Sequence, residues 1–261
     1  MRMIKTFKHW LQHPLTSELD IDDPKTTELR RIIIQEKTIL RMIYEEWYKW
    51  IVDSFPAGKE PILELGSGAG FLNQLAPKLI TSEVFLCPNI QIVLDGHYLP
   101  LREHSLRGIV MTDVLHHLSH TPVFFREASR CIKKGGAIIF VEPWCTTWSK
   151  MIYTKLHHEP FAPNVKEWDF PSTGALSGAN GALPWIIFQR DRSRFEQEFP
   201  EWQITSIEPI IPFRYLVSGG VSLRSFMPGW TYPFWMWLER SMKPWSKHLA
   251  MFAKIILTKQ S

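Results

Sequence analysis

The sequence has few cysteines and no long apolar run. Cys87, Cys131 and Cys145 are scattered without the spacing of metal ligands, and an odd number is not typical of a disulfide framework. We therefore expect a reducing, cytoplasmic location. No stretch approaches the roughly 18 apolar residues of a membrane-spanning helix. Residues 1–10 are basic and apolar but lack the continuous hydrophobic core and cleavage site of a signal peptide, so we expect no cleaved leader.

The sequence also has only a small excess of positive over negative charge. The 30 Lys and Arg residues are nearly balanced by 26 Asp and Glu residues, which leaves a net charge of +4. No long basic run of the kind that follows a nucleic acid is present, so we expect no nucleic-acid partner. The apolar fraction of 45% is ordinary for a globular protein.

Tryptophan, in contrast, is abundant. The chain has 12 tryptophans, concentrated after residue 140 and notably in the aromatic run at 226–238. This run either packs into the core or lines a pocket or surface for an apolar partner. Peripheral contact with a membrane through 226–238 also stays open, because Trp and Tyr are favoured at bilayer interfaces.

Residues 1–59 have the pattern of a helical cap. A helix begins near Pro24, and apolar residues then recur at spacings of three and four. Arg41, Tyr44 and Tyr48 are interpreted as the polar edge of this amphipathic helix. The alternative is that the helix covers a cofactor or substrate.

From residue 61 onward, strands and helices alternate as in a doubly wound α/β sheet. The helices are predicted at 122–131 and 191–199, with a turn at 133–136 and no regular pattern over 143–189. Seven segments are predicted as strands: 62–65, 79–84, 90–95, 107–113, 137–141, 202–211 and 250–259.

The most informative segment is 61–70, where a short apolar strand runs into Gly66, Gly68 and Gly70. Glycines let the backbone turn sharply and approach a ligand closely. A helix is expected from Phe71, with its free N–H groups facing the ligand. Phe71 stands where a dinucleotide fingerprint has its third glycine, which disfavours an NAD-dependent oxidoreductase.

Acidic residues stand at or beside the ends of the next four predicted strands. They are Glu83, Asp95, Asp113 and Glu142. In an open parallel sheet, ligands bind beyond the carboxyl ends of the strands. An isolated carboxylate there is usually a cap or a solvated loop residue. Four carboxylates at successive strand ends, all following one glycine turn in the sequence, favour a binding site.

Glu64, in the strand before the glycine turn, completes a pattern that resembles methyltransferase motif I. Together with the segments 99–101 and 130–136, the four acids match the order of methyltransferase motifs along 61–142. The chain resembles the class I S-adenosylmethionine (SAM)-dependent methyltransferases. The resemblance implies a seven-stranded, mostly parallel, Rossmann-like methyltransferase domain over 60–261 that uses SAM as cofactor. Insertions at 143–189 and 212–248 are expected to form the acceptor pocket and lid, since specificity usually lies in loops on a rigid scaffold.

The resemblance also implies roles for individual residues. Glu83 accepts hydrogen bonds from the ribose hydroxyls, Asp95 contacts the adenine amino group, and Asp113 lies near the transferred methyl group. Glu83 follows Gly70 closely, so the first helix must be short; Cys87 would take the ribose position after a helix of ordinary length, but a thiol is a poor bidentate acceptor. The complete predicted cofactor set is Glu64, Gly66, Ser67, Gly68, Gly70, Glu83, Asp95, Gly96 and Asp113.

Two groups of histidines are candidates for further chemistry. His116 and His117 follow Asp113 and are candidate bases, with packing or helix capping as the alternative. Zinc binding by His157, His158 and Glu159 is conceivable, but adjacent side chains point apart on regular structure, so no metal is expected.

The abundance of Trp and Phe over charged residues in the insertions at 143–189 and 212–248 predicts a small, hydrophobic or aromatic methyl acceptor rather than a nucleic acid. The alternative to an enzyme is a non-catalytic protein that binds SAM or a nucleotide and serves as a scaffold in a biosynthetic or membrane-associated assembly. The acceptor, the methylated atom and the oligomeric state stay open.

Overall fold

A computed structural model describes residues 22–157, 159–172, 174, 176–225 and 227–260. The helices are α1 (Pro24–Glu36), α2 (Thr38–Asp53), α3 (Thr121–Cys131), α4 (Thr147–Leu156), α5 (Leu183–Trp185), α6 (Arg192–Glu198), α7 (Arg214–Ser218), α8 (Tyr232–Ser241) and α9 (Ser246–Leu249). The strands are β1 (Ile62–Leu65), β2 (Ile80–Glu83), β3 (Ile92–Val93), β4 (Leu106–Thr112), β5 (Ile132–Pro143), β6 (Trp202–Ile210) and β7 (Phe252–Lys259).

The seven strands form one sheet in the order β3-β2-β1-β4-β5-β7-β6. Strands β1 to β5 pair in parallel, whereas β7 is antiparallel to both β5 and β6. This arrangement confirms the predicted seven-stranded, mostly parallel sheet and all seven predicted strand positions. It also departs from the dinucleotide-binding order 3-2-1-4-5-6, because an antiparallel strand lies between β5 and β6.

Both faces of the sheet are buried, as expected for parallel strands covered by helices. Along β4, Ile109 and Met111 pack in one apolar cluster, and Val110 between them packs in the other. The first cluster includes α3 and α6, through residues such as Phe124. The second includes the N-terminal helices, through residues such as Trp47. No helix of the described residues is long and apolar enough to cross a membrane.

The N-terminal cap consists of two helices where the sequence predicts one. Asp23 caps α1, its Oδ1 accepting from the Lys25 backbone N–H at 2.9 Å. The break is at Lys37, whose backbone is extended. Its buried side chain donates to the carbonyls of Gly220, at 2.7 Å, and Leu223. A contact so distant in sequence leaves no signal in the helical periodicity.

Tyr44 and Tyr48 are buried, so their interpretation as a polar helix edge is wrong. Tyr48 packs edge-on against Phe71 beside the glycine turn, with ring centroids 4.9 Å apart. Arg41 does lie at the surface, where it pairs with Glu45 at 3.0 Å. The alternative, that this helix covers a cofactor or substrate, stays a prediction; the tyrosines are buried because α2 lies against the glycine turn.

The helix predicted from Phe71 is also wrong. Only one 3₁₀ turn, Leu72–Gln74, follows the glycines. The chain from Phe71 to the start of β2 is short and contains Pro77, which leaves no room for a regular helix. The turn predicted at 133–136 is instead part of β5, which pairs irregularly with β4 in this region.

The segment 143–189 is more regular than predicted. It contains α4, which starts with a capping box of Thr146 and Ser149. Helix α5 continues into a π-helical turn, Ile186–Arg190. Ser and Thr at the cap were the available signal for α4, but the surrounding Pro, Gly and aromatic residues obscured it.

Arg214 joins the aromatic segment at 212–248 to the N-terminal cap. Its buried guanidinium lies 2.5 Å from Glu239 Oε2 and 2.6 Å from Glu46 Oε2, and it donates to the Tyr232 hydroxyl at 2.6 Å. The hydrogen bonds to Glu46 raise the pKa of Arg214, although burial alone would lower it. Three elements, α2, α7 and α8, thus meet at one buried charge.

We expect Arg214→Met to lower the free energy of unfolding by about 3–5 kcal/mol, because it leaves Glu239 buried without its partner. Urea unfolding followed by circular dichroism would measure the change. The matched control is Arg41→Met, which removes an exposed ion pair and should cost less than about 0.5 kcal/mol. Equal losses in both variants would contradict a structural role for the Arg214 network.

Candidate functional site

A cavity of about 600 Å³ lies beyond the carboxyl ends of β1 to β4. This is the position expected for a ligand of an open parallel sheet and a suitable size for one. Five of the predicted cofactor residues and one candidate base line it: Gly66, Glu83, Asp95, Gly96, Asp113 and His117. The other predicted residues, Glu64, Ser67, Gly68, Gly70 and His116, lie behind this lining.

Two glycines of the turn are required by its geometry. Gly66 has a φ of +72°, and a Cβ there would lie 2.4 Å from Val114 Cγ2. A Cβ on Gly68 would lie 2.4 Å from Thr27 Cγ2 and 2.7 Å from Glu83 Oε2. The turn can therefore pack against Val114, Thr27 and Glu83 only because these two positions lack side chains.

Glu83 lies buried at the end of β2 with its carboxylate against the turn. Its Oε2 accepts from the Gly68 N–H at 3.1 Å and its Oε1 from the Val84 N–H at 2.8 Å. Burial raises the pKa of Glu83, partly offset by these two hydrogen bonds. Each oxygen keeps further acceptor capacity, which fits a ribose diol. Cys87, the alternative ribose residue, is not among the lining residues.

Ser67 and Glu64 fix the turn from behind. The Ser67 N–H donates to the Ser82 carbonyl at 2.8 Å, and the hydroxyls of Ser67 and Ser82 both donate to the Glu64 carbonyl, at 3.2 and 2.7 Å. The Glu64 side chain is buried, which together with the nearby charge of Glu83 raises its pKa to about 7. These two residues position the loop rather than line the cavity.

Asp95 follows β3 and is linked to two histidines of the cavity wall. Its Oδ1 lies 2.6 Å from His97 Nδ1, and His97 Nε2 accepts from the His120 backbone N–H at 3.2 Å. Because Oδ1 is engaged in this way, a hydrogen bond from the adenine amino group would have to be accepted by Oδ2 of Asp95. The adenine role of Asp95 stays a prediction.

Asp113 lines both the cavity and a second, aromatic crevice. It has a φ of +63°, an unusual conformation that Asp tolerates and that recurs at functional sites. Its N–H donates to the Val141 carbonyl at 2.8 Å. Burial raises the pKa of Asp113 to about 6, with the negative charges of Glu159 and Glu142 adding to the effect and His116 opposing it.

Glu142 does not face the cavity; its fully buried carboxylate holds the turn after β4. Its Oε1 accepts from the N–H groups of Val114, at 2.8 Å, and Leu115, at 2.7 Å. Its Oε2 lies 2.8 Å from His116 Nδ1. The sequence places Glu142 with the ligand-facing acids, but it is a structural clamp because its side chain is turned towards the neighbouring loop.

His116 and His117 are close to Glu159, which comes from the loop after α4. His116 Nε2 lies 3.5 Å from Glu159 Oε2, and His117 Nε2 lies 3.9 Å from Glu159 Oε1. Burial lowers the pKa of His117 to about 3, helped by the charge of His116. The conceivable zinc set of His157, His158 and Glu159 cannot be compared as a whole, because His158 lies outside the described residues.

The outer wall of the cavity was missed in the sequence. It comes from the N-terminal helices through Thr27, Arg30, Ile34 and Tyr44, and from the insertions through Ser172, Gly174, Leu176 and Val221. The helices and insertions are connected, since the Asp22 carboxylate accepts from the Leu176 N–H at 2.7 Å. Only the general idea of a helix covering the ligand was available from the sequence.

The second crevice is narrow, with a volume of only about 10 Å³; it is lined by Asp113 and by aromatic side chains. Tyr153, Phe161, Tyr215 and Phe252 line it, and Tyr153 and Phe161 stack with centroids 4.8 Å apart. Its polar end is formed by His157 and Glu159. The crevice therefore combines flat apolar surfaces with a polar, acidic end next to the larger cavity.

The chain resembles known methyltransferases in sequence and in structure. The family model described as a methyltransferase domain matches residues 63–140. A geranyl diphosphate C-methyltransferase from Streptomyces coelicolor, solved with Mg²⁺, geranyl diphosphate and S-adenosyl-L-homocysteine, superposes with a TM-score of 0.51 at 10% identity, covering 87% of this chain and 82% of that chain. A SAM-dependent methyltransferase from Archaeoglobus fulgidus gives 0.51 at 14% identity, covering 84% and 94%. At these identities the structural likeness shows the fold. A search of curated proteins finds no match.

We expect Glu142→Gln to lower the free energy of unfolding by about 1–3 kcal/mol. The amide oxygen can still accept from the two backbone N–H groups, but the NH₂ group then faces His116 Nδ1, which must change its tautomer. Urea unfolding measures the loss, and Glu208→Gln, a half-exposed residue on β6, is the control. A loss no larger than in the control would contradict the clamp.

Proposed function

We propose that this chain is a class I SAM-dependent methyltransferase and that it methylates a small, hydrophobic or aromatic molecule. The observation that carries the proposal is the group of aromatic side chains next to Asp113, beside the cofactor-sized cavity. We also propose 60–261 as the methyltransferase domain, 1–59 as its helical cap, and the insertions at 143–189 and 212–248 as the acceptor side.

The residues of the cavity fit SAM in charge and shape. Gly66 and Gly68 would leave room for the ribose and methionyl parts, Glu83 would accept from the ribose hydroxyls, and Asp95 with Gly96 would lie at the adenine. Bound SAM supplies a methyl group on a positively charged sulfur. The chain's own task is then to orient the acceptor and to exclude water.

The crevice favours a flat acceptor with a polar group at one end. Tyr153, Phe161 and Tyr215 offer ring faces, and Asp113 lies where the crevice meets the cavity. The assignment of His116 and His117 as bases stays a prediction. Of the two, only His117 lines the cavity, although burial lowers its pKa to about 3, which makes it a weak base.

We expect the chain to bind SAM in preference to NADH, and Glu83→Ala to weaken SAM binding by about 10- to 100-fold, the loss expected when hydrogen bonds to a charged group are removed. Isothermal titration calorimetry measures both. Glu103→Ala, an exposed residue, is the matched control. Preference for NADH, or wild-type affinity for SAM in Glu83→Ala, would contradict the assignment.

We further propose that an aromatic surface after β6 contacts the surface of an anionic membrane. This surface consists of Trp230, Phe234, Trp237 and Trp245, and the first and third are 82% and 63% exposed. Arg240, Lys243 and Lys247 lie in the same segment. Indole rings beside cationic side chains are the combination that binds an anionic lipid interface. Phe226 lies outside the described residues.

The exposure of these rings argues against the interpretation of the whole 226–238 run as core, although Tyr232 is buried. A cytoplasmic location is also our proposal, supported by the free thiols of Cys87, Cys131 and Cys145. A protein in that compartment meets anionic lipid surfaces.

We expect the intact protein to float with vesicles containing phosphatidylserine, and the double variant Trp230→Ala/Trp237→Ala to remain in solution, because it loses most of the exposed indole area. Leu86→Ala, which removes a strongly exposed apolar side chain elsewhere, should float like wild type. Absence of flotation of the intact protein, or equal flotation of all three proteins, would contradict a membrane role.

A further inference from the structure

Three side chains with metal-ligand chemistry meet where the cavity joins the aromatic crevice. His116 and His117 come from the 3₁₀ turn after β4, and Glu159 comes from the loop after α4. Their ligand atoms all lie within 4.8 Å of one another. His116 is fully buried, and the side chains of His117 and Glu159 are only 8% and 13% exposed.

The hydrogen bonds of the two imidazoles determine which nitrogen of each is available. His116 Nδ1 lies 2.8 Å from the Glu142 carboxylate, and His117 Nδ1 lies 3.3 Å from the Gly178 carbonyl. Both partners can only accept, so each Nδ1 carries the hydrogen. The two Nε2 atoms are therefore the ones directed towards Glu159.

The available nitrogen of His116 has no suitable partner. Its buried Nε2 makes no hydrogen bond within the described part of the chain, and its separation of 3.5 Å from Glu159 Oε2 is long for one. A buried polar atom without a partner is costly and is rare in native proteins. A third species between the imidazoles and the carboxylate would satisfy it.

We propose that His116 Nε2, His117 Nε2 and the Glu159 carboxylate bind a divalent transition-metal ion of the zinc type. Two imidazoles and one glutamate form a known ligand set for zinc with an open fourth position. In metal sites, a carboxylate behind a metal-binding histidine often orients its ring and fixes its tautomer, and Glu142 is positioned to do this for His116. The set shares only Glu159 with the zinc site considered from the sequence.

The charges around the site favour a cation. Glu142 and Asp113 lie close by, and Asp113, His116 and Glu142 form a second group of ligand atoms within 4.8 Å. The opposing charge is that of Arg30, whose Nη2 lies 4.0 Å from Glu159 Oε1.

The location connects this metal site with the proposed function. The role of the site in methyl transfer rests on that proposed function, whereas its ability to bind metal does not. His117 lines the cavity and Glu159 lines the crevice, so an ion between them would contact an acceptor molecule. An acceptor hydroxyl bound to the ion loses its proton more readily; the proton passes to water, and the oxygen keeps the electron pair. The two histidines then act on the acceptor through the ion rather than as bases.

The test is metal binding by the full chain after treatment with a chelator and dialysis, in the absence of SAM. We expect calorimetric titration with ZnCl₂ to give one ion per chain, and Co²⁺ to acquire a visible absorption band on binding. Glu159→Gln and His117→Gln should each weaken Zn²⁺ binding by at least about 10-fold, because each removes one of three ligands. His248→Gln, an exposed histidine on α9, is the matched control.

Glu142→Gln keeps all three ligands and changes only the partner of His116, so it should weaken Zn²⁺ binding by about 10- to 100-fold. Circular dichroism and urea unfolding, measured on every variant, establish that each is folded. Failure of wild type to bind Zn²⁺, or binding unchanged in all three site variants, would overturn the proposal. Either result leaves SAM binding and the Glu83 test unaffected, so the two proposals fail separately.

Discussion

The turn after β4, which carries Asp113, His116 and His117, depends on one buried carboxylate, that of Glu142 in β5. A fully buried charge is tolerated only when its hydrogen-bonding capacity is used. Here the turn after β4 supplies two backbone N–H groups and His116 Nδ1. The charge and the turn therefore require each other, and the turn fixes both the left-handed conformation of Asp113 and the direction of His117. Sheet pairing of β4 with β5 brings the two partners together.

A second dependence joins the cofactor cavity to distant parts of the chain. The cavity is closed by α1 and α2, which are not part of the sheet. Lys37 attaches these helices to the backbone at Gly220 and Leu223, and Arg214 attaches them to α7 and α8. The segment at 212–248 and the N-terminal helices are thus held together by two buried cations. A change at the aromatic segment would be felt at the cavity wall through these contacts.

The sequence predicted what depends on local pattern and missed what depends on loop paths. Strands β1 to β7 were recognisable because apolar runs and turn residues mark them. The burial of Tyr44 was not, because it depends on where α2 packs. The meeting of His116 with Glu159 was equally hidden, since α4 and an irregular loop separate them in the chain. Glu142 was noticed as an acid but not as a clamp, because sequence does not reveal side-chain direction.

The buried carboxylates give the cavity its chemical character. Burial raises the pKa of Glu83, of Glu64 to about 7 and of Asp113 to about 6, which means that their charges are incompletely compensated. Arg30 opposes this effect at Glu83 and Asp113 but does not outweigh it. A ligand that carries hydroxyl donors and a positive charge would stabilise the ionised forms. SAM has both, and therefore suits the cavity through its electrostatics as well as through the space that the glycine turn leaves.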